Sequence, residues 1–253
     1  MSAVDPFSLA GKRVLVTGAS SGIGRQIAIS SAQMGAQLVI TARNAERLEE
    51  TARALPGEGH QSVVADLSKE ADIDRVVAGA GNLNGVVHAA GMARLAPFRM
   101  INRAQLDEQF SANTFAPILL TKGLLAKKRI EPNGSIVFIS AIASHMGPVA
   151  TGVYSATKGA LLGAMRSLGL EVVKQGIRAN CIAPNYVRTP MLDGLSRGGG
   201  GIDVGLDQTP LGMGEPEDVA YAAVFFLSDA SRWITRNYFI IDGGLTVAAD
   251  IYA

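Results

Sequence analysis

Seven short apolar runs recur along the chain: RVLVTG (13–18), AQLVITA (36–42), QSVVAD (61–66), GVVHAAG (85–91), GSIVFIS (134–140), IRANCIA (177–183) and NYFIIDGG (237–244). Most are apolar without alternation, as strands buried on both faces read. Between them, IGRQIAISSAQMG (23–35), NAERLEETARAL (44–55), INRAQLDEQFSANTFAPILLTKGLLAKK (101–128), GALLGAMRSLGLEVVKQG (159–176) and EPEDVAYAAVFFLSD (215–229) carry apolar residues at helical spacing. Strand–helix alternation predicts parallel pairing through right-handed crossovers. The fold class expected is α/β, a doubly wound parallel sheet of about seven strands with helices on both faces. No linker, repeat or shift of composition divides the chain, so residues 1–253 are read as one domain.

Composition narrows the function classes. The 253 residues hold 23 Lys and Arg against 22 Asp and Glu, for a formal net charge of +1. No net field points to nucleic acid or to an anionic membrane as partner. The lone cysteine, Cys181, cannot form an internal disulfide and sits in an apolar run, so it reads as a core thiol. MSAVDPFSLAGKR has no basic patch followed by an apolar run, which removes a signal peptide and leaves a cytoplasmic protein as the expectation. The uncharged span from Gly134 to Thr157 is broken by Gly147, Pro148 and Gly152, and reads as a strand, an irregular loop and the start of a helix. GLSRGGGGIDVG (194–205) reads as a mobile loop too rich in glycine for a helix. His60, His88 and His145 have no cysteine or carboxylate at ligand spacing, so no metal site is expected.

In a doubly wound sheet, ligands collect beyond the carboxyl ends of the strands. TGASSGIG (17–24) follows the first strand and opens a helix, where glycines allow close approach of a phosphate to exposed backbone N–H groups. VYSATKGA (153–160) spaces Tyr154 and Lys158 four apart, hence on one helical face. Taken alone, that pair is as readily a lysine stem lying over a ring. The serines of the glycine turn lack the G-x-S-x-G arrangement of a hydrolase elbow.

Taken together these motifs resemble the short-chain dehydrogenase/reductase family, over essentially the whole chain. TGASSGIG, with Gly18, Ser20, Ser21, Ile23 and Gly24, is similar to that family's TGxxxGxG, and Asp66 with Leu67 to its acidic residue after the third strand. HAAG (88–91), with Ala90 and Gly91, stands where NNAG is usual, and Asn113 falls in the long central helix. Tyr154 and Lys158 match YxxxK; PNYVRTP, with Pro184, Val187 and Thr189, occupies the place of PGxVxT, with Asn185 for the usual glycine; IDGG (241–244) resembles the VDGG ending.

The resemblance implies a Rossmann fold and hydride transfer between a nicotinamide and a ketone or secondary alcohol, on substrates such as a 3-oxoacyl thioester or a small cyclic or aromatic ketone. Tyr154 would exchange the proton, with the Lys158 ammonium drawing its pKa down from about 10. Lys158 would also hold the ribose, Asn113 a water feeding the lysine, Asp66 the adenine edge, and Thr189 with the Val187 backbone the nicotinamide end. ITARNAE places no carboxylate after the second strand, while Arg43 suits a 2′-phosphate, so NADP(H) is expected over NAD(H). Residues 188–213 would form a substrate lid with Met191, Leu192, Leu195 and Ile202 on it, whose apolar character favours a hydrophobic substrate. A homotetramer or dimer would pack through helices at about 103–129 and 153–175. A non-catalytic nicotinamide-binding sensor or scaffold is the other function class open.

One family residue is missing. The serine that usually precedes the tyrosine by thirteen positions is Ala141 here, in ISAIASH. Ser140 should aim away from the pocket because neighbouring side chains on a strand point to opposite faces, and Ser144 could reach only if the loop folds back. Natural divergence, a role for Ser144, and a deliberate serine-to-alanine replacement that preserves a bound complex all stand open, the last preferred.

Overall fold

The computed structural model describes residues 5–196 and 207–246. Its strands are β1 (Arg13–Thr17), β2 (Gln37–Ala42), β3 (Gln61–Val64), β4 (Leu83–His88), β5 (Ile130–Ile139), β6 (Arg178–Pro184) and β7 (Tyr238–Ile241). All pair parallel, in the order β3-β2-β1-β4-β5-β6-β7. The seven apolar runs thus become the seven strands. The inner strands bury Val14 to Thr17 in β1, Gly134 to Ile139 in β5 and Arg178 to Pro184 in β6. Edge strand β3 alternates instead, with Val64 exposed.

The helices are α1 (Gly22–Gln33), α2 (Ala45–Ala54), α3 (Glu70–Gly79), α4 (Arg103–Phe110), α5 (Ala116–Ala126), α6 (Ala143–Met146), α7 (Gly152–Val172), α8 (Pro190–Ser196) and α9 (Pro216–Leu227). Ile27 of α1, Leu48 of α2 and Val219 and Ala223 of α9 pack on one face of the sheet. Val76 of α3, Leu120 and Leu124 of α5 and Leu161 and Met165 of α7 pack on the other. Local chemistry sets the ends. Asn44 caps α2 by accepting from the Arg47 N–H at 2.8 Å, and α9 starts with a Glu215–Asp218 capping box followed by Pro216.

Three elements differ from the pattern read in the sequence. The 101–128 segment is not one regular helix, because a π turn over Ser111–Phe115 joins α4 to α5. The loop after β5 folds back into the short helix α6, which Gly147 closes in the left-handed region at φ +60°. Helix α3, which the periodicity had not singled out, fills the crossover from β3 to β4 with Ile73, Val76 and Val77 as its buried face. Against the reading of a loop too rich in glycine for a helix, α8 runs into the first residues of the 194–205 stretch, ending at Ser196; the remainder, with Ile202, lies outside the described residues. Among the described residues no helix is long and apolar enough to cross a membrane.

Candidate active site

The strand order reverses between β1 and β4, and a cleft of about 1470 Å³ opens beyond the carboxyl ends of the strands there. Gly18, Ser20, Ser21, Ile23 and Gly24 line it after β1, Arg43 after β2, Asp66 and Leu67 after β3, and Ala90 and Gly91 after β4. Ala141 follows β5, Tyr154 and Lys158 rise from α7, and Pro184, Val187 and Thr189 follow β6. Asn113 does not line the cleft; it is buried behind Gly91.

The turn after β1 has the shape of a phosphate cradle. Gly18 sits at φ +67°, and a Cβ there would come within 2.7 Å of the Ala90 main chain. A Cβ on Gly24 would overlap the Gly18 carbonyl oxygen. Only glycine permits both approaches. Ser21 caps α1 without a side-chain hydrogen bond, so the N–H groups of the first turn have no partner within the helix. Thr17, which the motif reading passed over, accepts from the Ala89 and Ala90 N–H groups at 3.1 Å and ties the end of β1 to the loop after β4. Its place as the first residue of TGASSGIG was the signal available for it. These residues fit a dinucleotide.

At the far end of β2, Arg43 is exposed beside the cleft, and the capping of α2 belongs to Asn44 rather than to the arginine. Burial would raise the Asp66 carboxyl, but hydrogen bonds from the Ser68 hydroxyl and N–H and the charges of Arg43 and Lys69 outweigh it and hold the group below its ordinary value. Asp66 therefore stays ionised as an acceptor.

Tyr154 and Lys158 stand one turn apart on α7. The lysine Nζ donates to the Ile139 carbonyl at 2.8 Å and lies 5.9 Å from the centre of the tyrosine ring. The tyrosine remains partly open to the cleft, yet burial pushes its phenol up to about 12. This corrects the expectation that the lysine draws it down. The ammonium is held by a strand-end carbonyl, and burial lowers its own pKa to about 8, an effect the nearby Cys181 opposes.

The π turn has a specific use. Asn113 accepts from the Met92 N–H at 2.8 Å and donates to the Met92 carbonyl at 2.9 Å and to the Thr157 hydroxyl at 3.0 Å. Thr114 donates to the Thr157 carbonyl at 3.0 Å, and Thr157 to the Tyr154 carbonyl at 2.7 Å. The turn thus clamps α7 between Tyr154 and Lys158, a common place for a π bulge.

Around Ala141 the hydroxyls are engaged elsewhere. Ser140 is buried and donates to the Lys158 carbonyl at 3.1 Å. Ser144 folds back as α6 forms, but donates to the Ala141 carbonyl at 2.7 Å and meets the Tyr238 hydroxyl at 2.9 Å. Its hydroxyl is turned to β7, so the account in which Ser144 replaces the missing serine loses its support. Asn185, in the usual glycine position, is not among the residues of positive φ. Its amide donates to Thr209 Oγ1 and to the Asp242 carbonyl, both at 3.2 Å, which ties the turn to the segment after β7.

Comparison with known proteins points the same way. A family model described as enoyl-(acyl carrier protein) reductase matches residues 18–246. Gluconate 5-dehydrogenase of Gluconobacter oxydans is 33% identical, covering 98% of this chain and 100% of that protein. The 3-oxoacyl-[acyl-carrier-protein] reductase of Mus musculus is 37% identical over 91% of this chain and 96% of its own length. Among solved structures, one from Beutenbergia cavernae, described as an NAD(P)-dependent gluconate 5-dehydrogenase with NADP bound at low occupancy, superimposes with a TM-score of 0.86 at 30% identity, covering 96% of this chain and all of that one.

Proposed function

This chain belongs to the short-chain dehydrogenase/reductase family, and we propose that it is an NADPH-dependent reductase of ketones, reversible on secondary alcohols. The convergence of Tyr154, Lys158, the glycine cradle and Arg43 on one cleft carries this reading. Nicotinamide, when bound, supplies the hydride. Gly18, Ser20, Ser21, Ile23 and Gly24 would hold its pyrophosphate, Asp66 and Leu67 the adenine, Lys158 the ribose, and Ala90, Gly91, Pro184, Val187 and Thr189 the remaining length. Tyr154 would place its phenolic proton on the carbonyl oxygen, and its raised pKa keeps that proton in place at neutral pH. Loss of NADPH absorbance over a panel of ketones, with cofactor binding measured in parallel, tests the reading; tight binding without turnover on any ketone contradicts it.

The cofactor preference rests on Arg43. Among the described residues no hydrogen bond or ion pair commits its guanidinium, and the end of β2 offers no carboxylate to a ribose 2′-hydroxyl. NADPH should bind at least ~10-fold more tightly than NADH, equivalent to about 1.4 kcal/mol. Titration of both cofactors should show this, and Arg43→Ala should erase the difference.

Ala141 favours the second reading, a binder of weak or no activity, because no hydroxyl at this position positions the carbonyl. Losing one such donor typically costs ~10²–10³-fold in kcat. Ala141→Ser is therefore expected to raise kcat at least ~10-fold with little change in NADPH affinity. Unchanged turnover would remove the serine site from the mechanism.

We also propose a homotetramer or homodimer built on α4, α5 and α7, where Phe115, Ile118, Leu170 and Val173 are exposed apolar residues. Light scattering at micromolar protein should give a multiple of 26.4 kDa; the monomer mass alone contradicts it.

A further inference from the structure

We infer that the end of the cleft beyond Tyr154 takes an uncharged, apolar carbonyl compound and rejects sugar acids and other anions; this rests on the reductase reading and deepens it. The loops after β4, β5 and β6 build this end, and Met92, Leu95, Met146, Val149, Met191 and Leu192 line it. Val149 is 94% exposed and Met146 42%, so apolar surface stands in water at the mouth and gains from being covered.

Several polar side chains at this end are committed within the protein, while Tyr186 and Gln208 also line the cleft. Ser140 bonds the Lys158 carbonyl, Ser144 the Ala141 carbonyl, Thr189 the Val187 carbonyl, and Asn185 Thr209 and Asp242. A polyhydroxylated substrate entering here would find few partners beyond Tyr186 and Gln208 and would set its other hydroxyls against apolar side chains, which is unfavourable for each hydroxyl left unpaired.

Charge is more decisive. Among the described residues, the cations lining the whole cleft are Arg43, Arg47 and Lys158. The two arginines belong to the β2–α2 end, and Lys158 is bound to Ile139 below the tyrosine. Arg188, the other cation near the β6 loop, pairs with Glu215 at 2.9 Å and does not line the cleft. The charged groups that do line the substrate side are Asp107 and Glu108, paired outward with Arg103 and Arg94. Among the described residues, a carboxylate there would find no unpaired cation, only two carboxylates already paired with arginines.

The test compares NADPH-dependent reduction of an aryl alkyl ketone with that of 5-ketogluconate, the keto acid that corresponds to the activity named for the Gluconobacter relative. We expect kcat/KM for the aryl ketone to be at least ~100-fold higher. Val149→Lys, at a solvent-exposed position, should cut that ratio at least ~10-fold while NADPH affinity holds. Turnover of the keto acid equal to or above that of the aryl ketone, or a ratio that Val149→Lys leaves unmoved, overturns this inference and leaves the reductase reading standing. No turnover of either ketone, with NADPH bound, overturns both.

Discussion

Tyr154→Phe is expected to lower kcat for ketone reduction by about 10³-fold while NADPH affinity stays within a factor of about two, since a positioned general acid is worth ~10²–10⁴-fold. The phenyl ring keeps the packing on α7 and loses only the hydroxyl, and the clamp from Thr157 holds the tyrosine's main chain, not its side chain. The raised phenol also fixes the pH behaviour. Burial lifts it to about 12, so the proton donor is fully formed through neutral pH, and any change in kcat for reduction between about pH 6 and 9 should follow Lys158, which burial lowers to about 8, rather than the tyrosine. Alcohol oxidation needs the ionised form and should rise across the same range. Initial rates in both directions with the wild type and the variant check this, and a Phe variant as active as the wild type would remove Tyr154 from the chemistry.

The second large effect is expected at Gly24. Its α-carbon sits where a Cβ would overlap the Gly18 carbonyl oxygen and lie 3.1 Å from the Thr17 carbonyl oxygen, both main-chain atoms at the end of β1. Neither can yield as a flexible side chain would. Gly24→Ala must push α1 away from β1, displacing the turn that would cradle the pyrophosphate. Overpacking of this kind costs ~1–3 kcal/mol, which in a chain of this length lowers Tm by roughly 5 °C. Displacement of the turn should weaken NADPH binding. Calorimetric unfolding with and without NADPH separates the two effects: the variant should melt lower and lose the upward shift that cofactor gives the wild type. An unaltered NADPH shift would show that the turn after β1 is not where the cofactor sits.

The parts of this architecture that were legible from sequence are those governed by local rules. Strands buried on both faces favour continuous apolar runs, and the centres of β1 and β2 and the second half of β5 read so directly, while β6 buries Arg178 and Asn180 among its apolar residues. The glycine turn was legible because positive φ and close main-chain approach are properties of glycine itself. Long-range partners were not. The spacing of Tyr154 and Lys158 put them on one face, but only the fold shows that the Ile139 carbonyl captures the ammonium and that burial, rather than the lysine, governs the phenol. Nothing in ISAIASH indicates that Ser144 is engaged by Tyr238, 94 residues away. The π turn was hidden for the same reason. Asn113 and Thr114 are sustained there by partners on α7 and after β4, and helical periodicity carries no trace of them. Helix α3, ten residues long like α2, has as its only buried apolar side chains Ile73, Val76 and Val77, a pattern too brief to stand out in the sequence.

The most direct test of the central claim follows hydride itself. The protein is given NADPH carrying deuterium at both nicotinamide C4 positions together with an aryl alkyl ketone, and the product alcohol is analysed by mass spectrometry and chiral chromatography. The account predicts deuterium on the carbinol carbon, one per NADPH consumed and on a single face of the carbonyl, with Tyr154→Phe slowing its appearance about 10³-fold. Tight NADPH binding with no deuterated alcohol from any ketone of the panel, in the wild type and in Ala141→Ser alike, would contradict it and leave a nicotinamide-binding protein without the reaction.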